Sequence, residues 1–301
     1  MRCDVAWRCA RVVLSIWLGS QALAAAAANQ PAADGDKPAL GRAGAEVGSK
    51  TDPKQPTGEA EEDAPHAPWT FDGGVDYVTA YVFRGYNIVD TGYIFQPYAN
   101  VTRSFLLRED GSMTLDVYGG VWASISEETP GNSGPRRWNE LDLTGGVSLA
   151  LDEWSVGLEY LYYNSPADDF DDIHEAGLLF GYDHWLAPSI GLYREIDDRG
   201  GEQDTYLEFK VEPSLPSLGP VDLTLPIVLG TSLDGYFMDS DGHNAFFGYA
   251  AVGLSASFAL AENWSLVGGV EYFHPLADSV EESNDGTDYK VVGRFGVAFE
   301  Y

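Results

Sequence analysis

Over residues 67–301 apolar side chains recur at every second position, in segments of 9–15 residues, and no convincing 3.6-residue apolar stripe appears anywhere in that stretch. In "WTFDGGVDYVTAYVF", Trp69, Phe71, Val75, Tyr77, Tyr81 and Phe83 share one face, and Asp72, Asp76 and small residues share the other. "SMTLDVYGGVWASI" sets Met113, Leu115, Val117, Val121 and Ile125 against Ser112, Thr114, Asp116 and Tyr118. "LDLTGGVSLAL", "TYLEFKVE" and "VDLTLPIVLG" repeat the pattern, with Asp142, Glu208 and Asp222 on their polar faces. Strict alternation is the mark of a strand whose two faces meet different surroundings.

Twelve such segments can be drawn, at about 69–84, 93–105, 112–125, 137–150, 154–164, 172–183, 188–197, 204–213, 220–234, 245–260, 264–275 and 288–301. The segment 188–197 is ambiguous, because Arg194 shares a face with Ile190, Leu192 and Ile196. The connections alternate in length. "LREDGS", "LDEW", "DHWLAP", "LPSLGP" and "AENW" are short, whereas "GYNIVDTG", "SEETPGNSGPRR", "NSPADDFDD", "DDRGGEQD", "MDSDGHN" and "PLADSVEESNDGTD" are long. An even strand number with short turns at one end and long loops at the other predicts an all-β chain: a transmembrane antiparallel up-and-down β-barrel of about 12 strands.

Physics then assigns the faces. In hydrocarbon every backbone polar group needs an internal partner, so strands must close into a ring. A segment of about ten residues tilted near 45° crosses a bilayer. The oily faces contact lipid and the carboxylate-bearing faces point inward. The expected pore-lining set is Asp72, Asp76, Arg84, Gln96, Asn100, Asp116, Tyr118, Asp142, Glu159, Glu208, Lys210, Asp222, Glu271, Lys290 and Arg294. Acidic members outnumber basic ones, so a continuous water path would favour cations; a plugged polar core is the alternative. Arg84 either lines a constriction or pairs with acidic neighbours. Trp154, Trp185 and Trp264 lie at or beside short turns, and "VSLALDEWSVGLEYLYY" echoes "ASFALAENWSLVGGVEYF". With Trp69 and Tyr301 they form an expected aromatic girdle at the membrane boundary.

The N-terminus fits export. Arg2, Arg8 and Arg11 flank the apolar run "VVLSIWLGSQALAAAA", which ends in small residues, so residues 1–28 read as a signal peptide. A retained membrane helix is the alternative. Cys3 and Cys9 precede the apolar run, which disfavours a lipoprotein. Cleavage near Ala28 would remove both cysteines, three Arg and Asp4, taking the formal net charge from −30 to −32 and leaving no disulfide. So acidic a chain offers nothing to nucleic acid. Residues 29–66, rich in Ala, Pro, Gly and charge, read as a flexible leader or a tether, and 67–301 as the barrel.

Two resemblances sharpen this. The ending "FGVAFEY", with Tyr301 terminal and Phe299, Val297 and Phe295 alternating before it, resembles the assembly signal of bacterial outer-membrane β-barrels. It implies the barrel-assembly machinery as a partner of the last strand. "DYVTAYVFRGYNIVDTGYIFQPYANV", with Tyr81, Phe83, Arg84, Gly85, Gln96 and Pro97 at the matching positions, resembles the first hairpin of the TorF-family porins. That resemblance covers about 25 residues and implies a pore in the outer membrane of a Gram-negative cell, with outer-membrane lipid and small solutes as partners and no particular substrate.

No enzyme is expected. The chain holds no G-x-S-x-G and no HExxH, and no serine can be matched with its histidines, His174 and His274 among them. Neither a cofactor nor a metal is expected. "ADDFDD" (167–172), "DSDGHN" (239–244) and "EESNDGTD" (281–288) read as solvated loop charge, with divalent-ion binding as the sharper alternative. The expected function is passive diffusion of small solutes, with a cation preference. The alternative is a closed structural or adhesion barrel that displays acidic loops.

Overall fold

The computed structural model describes residues 69–108, 111–127, 137–168, 170–197 and 204–301. The expected signal peptide and leader, the loop centres at 128–136 and 198–203, and Asp169 lie outside the described residues.

The chain closes into one antiparallel barrel. Its strands are β1 (Trp69–Val78), β4 (Ile94–Leu106), β5 (Met113–Ser126), β6 (Trp138–Leu151), β7 (Trp154–Asn164), β8 (Ile173–Tyr182), β9 (Ser189–Glu195), β10 (Thr205–Val211), β13 (Ile227–Asp234), β14 (Phe247–Ala261), β15 (Trp264–Pro275) and β16 (Lys290–Glu300). A small hairpin, β2 (Tyr81–Phe83) and β3 (Tyr86–Val89), stands apart from the wall. Two short pieces, β11 (Ser214–Leu218) and β12 (Val221–Thr224), bring the sheet to 14 strands. They are the lower ends of β10 and β13, cut off at Pro213 and Pro226, where the ring removes a ladder donor. β12 and β13 pair with successive stretches of β14, so the wall counts twelve crossings. The predicted strand count and order hold.

The ring closes between β1 and β16. Gly73 pairs with Phe299 and Tyr77 with Phe295. The seam continues to the last residue, where Phe71 and Tyr301 exchange both backbone bonds, at 2.9 and 2.8 Å. No sheet edge is left open there, which is how a chain tolerates an aromatic strand at its end.

The faces follow the alternation. Phe71, Val75, Val117, Val121, Leu143, Val147, Phe209, Val252 and Phe295 are exposed on the outside, while Asp76, Asp116, Asp142 and Glu208 are buried inside. The ambiguous ninth segment resolves the same way: Ile190, Arg194 and Ile196 face out and Tyr193 faces in. Arg194 sits near the long-loop end, where its guanidinium donates to the Thr205 hydroxyl at 2.8 Å. Trp69, Trp154, Trp185, Trp264 and Tyr301, the expected girdle residues, are all exposed at the short-turn end. Arg103 lies between the rings of Trp69 and Phe105 there, 4.9 and 5.1 Å from their centres. A second set of exposed rings, Tyr77, Phe95, Trp138, Tyr272 and Tyr289, marks the opposite end.

One segment departs from expectation. The first strand does not run to Arg84. It stops at Val78, and the chain turns into the barrel as the β2–β3 hairpin. Tyr81 and Phe83, expected on the lipid face, are buried inside. The reason lies at the hairpin tip. Phe83 pairs with Tyr86, and the two residues between them, Arg84 and Gly85, have φ of +45° and +89°. Two left-handed residues make the tight turn whose twist matches a two-stranded ribbon. A Cβ on Gly85 would lie 2.8 Å from the Tyr249 ring, so both the backbone and the space require glycine.

Candidate functional site

The barrel interior divides into a packed outer half and an open inner half. In the outer half the hairpin tip meets Tyr236 and Phe237 from the loop after β13, and a short helix α1 (Asp278–Ser283) from the loop after β15. The Tyr86 hydroxyl donates to the Tyr236 carbonyl at 3.2 Å and approaches Ser279 Oγ at 3.4 Å. Asn284 donates to the Gly85 carbonyl at 3.4 Å, and Phe237 and Val280 are fully buried. The helix overlaps the start of the 281–288 stretch expected as solvated loop charge, and its apolar residue Val280, just before that stretch, packs against the hairpin.

Arg84 is the centre of this plug. It is 2 % exposed and donates to both oxygens of Glu175, at 2.9 and 2.8 Å. Its guanidinium carbon stands 5.0, 4.9, 4.2 and 5.0 Å from the ring centres of Phe83, Tyr193, Tyr206 and Tyr236. The planar fork suits both the carboxylate and the rings. The Tyr163 hydroxyl adds a third bond to Glu175 at 2.8 Å. Arg84 both borders the lumen cavity and pairs with a carboxylate. Its partner is Glu175, however, and not Asp72 or Asp76 along its own segment.

Below the plug lies a cavity of about 590 Å³. Of the expected pore-lining residues, Asp72, Arg84, Gln96, Asp142, Lys210, Glu271 and Arg294 line it. Asn100 donates to Asp72 at 2.7 Å, Arg294 lies 4.0 Å from Asp76, and Lys210 pairs with Glu212 at 2.5 Å. Asp76, Asn100, Asp116, Tyr118, Glu159 and Glu208 occupy inward positions away from the cavity surface. There Tyr118 donates to Glu159 at 3.2 Å and Tyr206 to Glu208 at 2.9 Å. Tyr118 can lie flat on the wall because Gly146 opposite has no side chain; a Cβ there would come within 2.5 Å of its ring.

Two expected lining residues sit at the ends of the barrel. Asp222 is exposed at the short-turn end and accepts from the Ser217 hydroxyl at 2.7 Å. Lys290 is at the long-loop end, donating at 2.5 Å to Asp90, just after the hairpin. That hydrogen bond holds the Asp90 carboxyl below the usual carboxylate range, against the opposing effect of partial burial.

Sequence reasoning missed Glu140 and Glu175. Both are on the inward parity of their strands, two residues from Asp142 and Gly177 respectively, and both are buried. Both lie within the alternating segments 137–150 and 172–183, so parity alone could have found them.

The other candidate chemistry is absorbed locally. His174 meets the Tyr160 hydroxyl through Nδ1, and its Nε2 lies 3.9 Å from Asp197. His274 Nδ1 donates to the Asp288 carbonyl at 2.8 Å. In "DSDGHN" the Asp239 carboxylate accepts the backbone N–H groups of Asp241 and His243, at 3.0 and 2.8 Å, which organises the turn itself. Among the described residues no group of three or more His, Cys, Asp or Glu converges as a metal site.

No family model and no curated protein matches the chain. Among solved structures it is similar to an outer membrane channel from Pseudomonas putida F1, at 10% identity and a TM-score of 0.46, over 82% of this chain and 100% of that one. It is also similar to the NanC porin, at 11% identity and a TM-score of 0.41, over 76% and 98% of the two chains. A further likeness is to outer membrane phospholipase A from Escherichia coli, at 8% identity and a TM-score of 0.40, over 76% and 92%.

Proposed function

We propose that the chain is an outer-membrane channel for passive diffusion of small solutes, with a preference for cations. The observation that carries the reading is a cavity of about 590 Å³, lined with ionisable side chains, inside a closed barrel whose outside is apolar. A soluble protein has no use for that arrangement, because it leaves the oily faces of twelve strands in water. Carboxylates outnumber cations on the inward faces, and rings of carboxylates stabilise a passing cation. The apparent signal peptide, the alternating aromatic ending and the resemblance of residues 76–101 to the TorF-family porins support export, delivery to the assembly machinery and a pore role in the same direction.

The plug sets the mechanism. Solute enters the cavity from the short-turn end, and passage beyond it needs the β2–β3 hairpin to move away from the wall. Among the described residues the hairpin and its partners pack together inside the outer half of the barrel, so we read the channel as a gated one with the Arg84–Glu175 pair as the latch. The hairpin belongs to no wall ladder, so it can swing without breaking one.

The second reading, a closed structural or adhesion barrel, draws on one specific feature. The outer half of the lumen is filled by Phe83, Tyr86, Phe237 and Val280, packed as a core is packed. Planar-bilayer recording separates the two. The channel reading expects stepwise conductance and a reversal potential of cation-selective sign in a KCl gradient. A reconstituted barrel that stays silent at all voltages favours the closed structure.

A further inference from the structure

We propose that Asp142 and the aromatic side chains around it form a binding site for a small substituted-ammonium cation on the cavity wall. The inference rests on the channel reading, since the lumen is the solute's route to the site.

The register places the parts. Tyr98 pairs with Trp122 across β4 and β5, Trp122 with Asp142 across β5 and β6, and Asp142 with Tyr163 across β6 and β7. Directly opposed residues stand about 5 Å apart at Cβ. A carboxylate is thus held between an indole and a phenol, and all four side chains line the cavity. The inverted hairpin supplies a further wall: Tyr81 leans on Trp122, with ring centres 5.4 Å apart at 51°.

Among the described residues the Asp142 carboxyl group has no cationic partner. Asp142 is 3 % exposed, and its Oδ1 is buried with no hydrogen-bond partner. Glu140, the next inward residue on the strand, accepts from the Tyr81 hydroxyl at 3.1 Å through one oxygen, and its other oxygen has no partner. No Lys or Arg among the described residues pairs with either carboxylate. Glu175, by contrast, is paired with Arg84. Burying unpaired carboxylates is unfavourable, and a guest cation relieves it.

The chemistry of the walls selects the guest. A hydrated metal ion wants several oxygen ligands in a shell, and two carboxylates beside aromatic faces do not make one. A substituted ammonium presents charge through a sheath of C–H groups, which suits ring faces and a single carboxylate together.

The test uses the full-length mature protein in detergent, titrated by calorimetry with choline and with 3,3-dimethylbutan-1-ol, its neutral isostere. Choline is expected to bind, and the alcohol to bind at least about tenfold more weakly. Asp142→Asn and Trp122→Leu are each expected to weaken choline by about tenfold or more, while Asp183→Asn in an exposed short turn leaves it unchanged. Equal binding of choline and the alcohol by the unaltered protein overturns the proposal, and that comparison needs no variant to fold. Undiminished choline binding by a correctly folded Asp142→Asn barrel, scored by heat-modifiable migration, overturns it too. Conductance is measured separately. A barrel that conducts without binding choline refutes this site and leaves the channel standing; one that binds choline but never conducts does the reverse.

Discussion

Replacing Arg84 with alanine should unlatch the hairpin. In the closed state the guanidinium satisfies both oxygens of Glu175 and fills a cage of four rings. Removing it leaves Glu175 buried beneath the hairpin without its cation, with the Tyr163 hydroxyl still bonded to it. Breaking a buried pair in this way is worth about 3–5 kcal/mol. The penalty falls on the closed state alone, because once the hairpin swings out, water reaches Glu175. At about 1.4 kcal/mol per factor of ten, the open-to-closed ratio should rise by roughly two to three and a half powers of ten. The left-handed backbone at Arg84 adds to the effect, since the strain of φ +45° is then held by fewer contacts. Single-channel recording reads the change as open probability at fixed voltage. Arg84→Lys keeps the charge but loses the planar fork, and should fall between the two. Arg84→Ala combined with Glu175→Ala removes the orphaned charge and should restore much of the closure, so that the two losses are strongly non-additive. If Arg84→Ala gates as the unaltered protein does, or if the double variant is simply the sum of the single ones, the latch is not where we place it.

Other expectations follow from neighbouring features. Gly85→Ala meets both a left-handed backbone and the Tyr249 ring, so it should destabilise the closed hairpin by about 1–2 kcal/mol or more, seen as raised open probability with unchanged unit conductance. The Asp90–Lys290 tie gives a pH dependence. Asp90 is depressed, so its contribution is complete above the ordinary carboxylate value of about 3.9 and is lost as pH falls through its lower folded value. Protease protection of the 86–94 segment should therefore be flat from pH 7 to 5 and drop only in stronger acid, and Asp90→Asn should show the acid level throughout. The pair is partly exposed, so the drop should correspond to about 1 kcal/mol or less and shrink further in high salt. Deleting residues 299–301 removes the two Phe71–Tyr301 bonds and one end of the closing seam, and should lower the folded, heat-modifiable fraction in membranes far more than it changes refolding in detergent.

What the sequence disclosed, and what it hid, divides by the kind of signal. The wall was readable because a two-residue period has only two phases, and lipid and lumen demand opposite chemistry of them. Val117, Leu143 and Phe295 point out and Asp116, Asp142 and Arg294 point in for that reason alone. The plug was not readable, because the same period continues through Tyr81 and Phe83 after the chain has left the wall. A ribbon folded into the lumen also alternates, and nothing local marks the change of partner except Arg-Gly, which is a less telling turn signal than Asn-Gly. The Arg84–Glu175 pair spans 91 residues, so strand-by-strand parity could place each member inside but not bring them together. Helix α1 escaped notice because six residues with an acidic first turn resemble any solvated loop until Val280 is seen to be covered.

The central claim is that the oily stripe of each strand faces acyl chains and the polar stripe faces an aqueous lumen. Nitroxide labels placed one at a time through residues 143–149 of β6, in protein reconstituted into liposomes, test it most directly. Oxygen collision rates should peak at 143, 145, 147 and 149 and a water-soluble relaxant should peak at the positions between them. Accessibility without that two-residue period, or water contact on both faces in a protein that stays folded outside lipid, would contradict it.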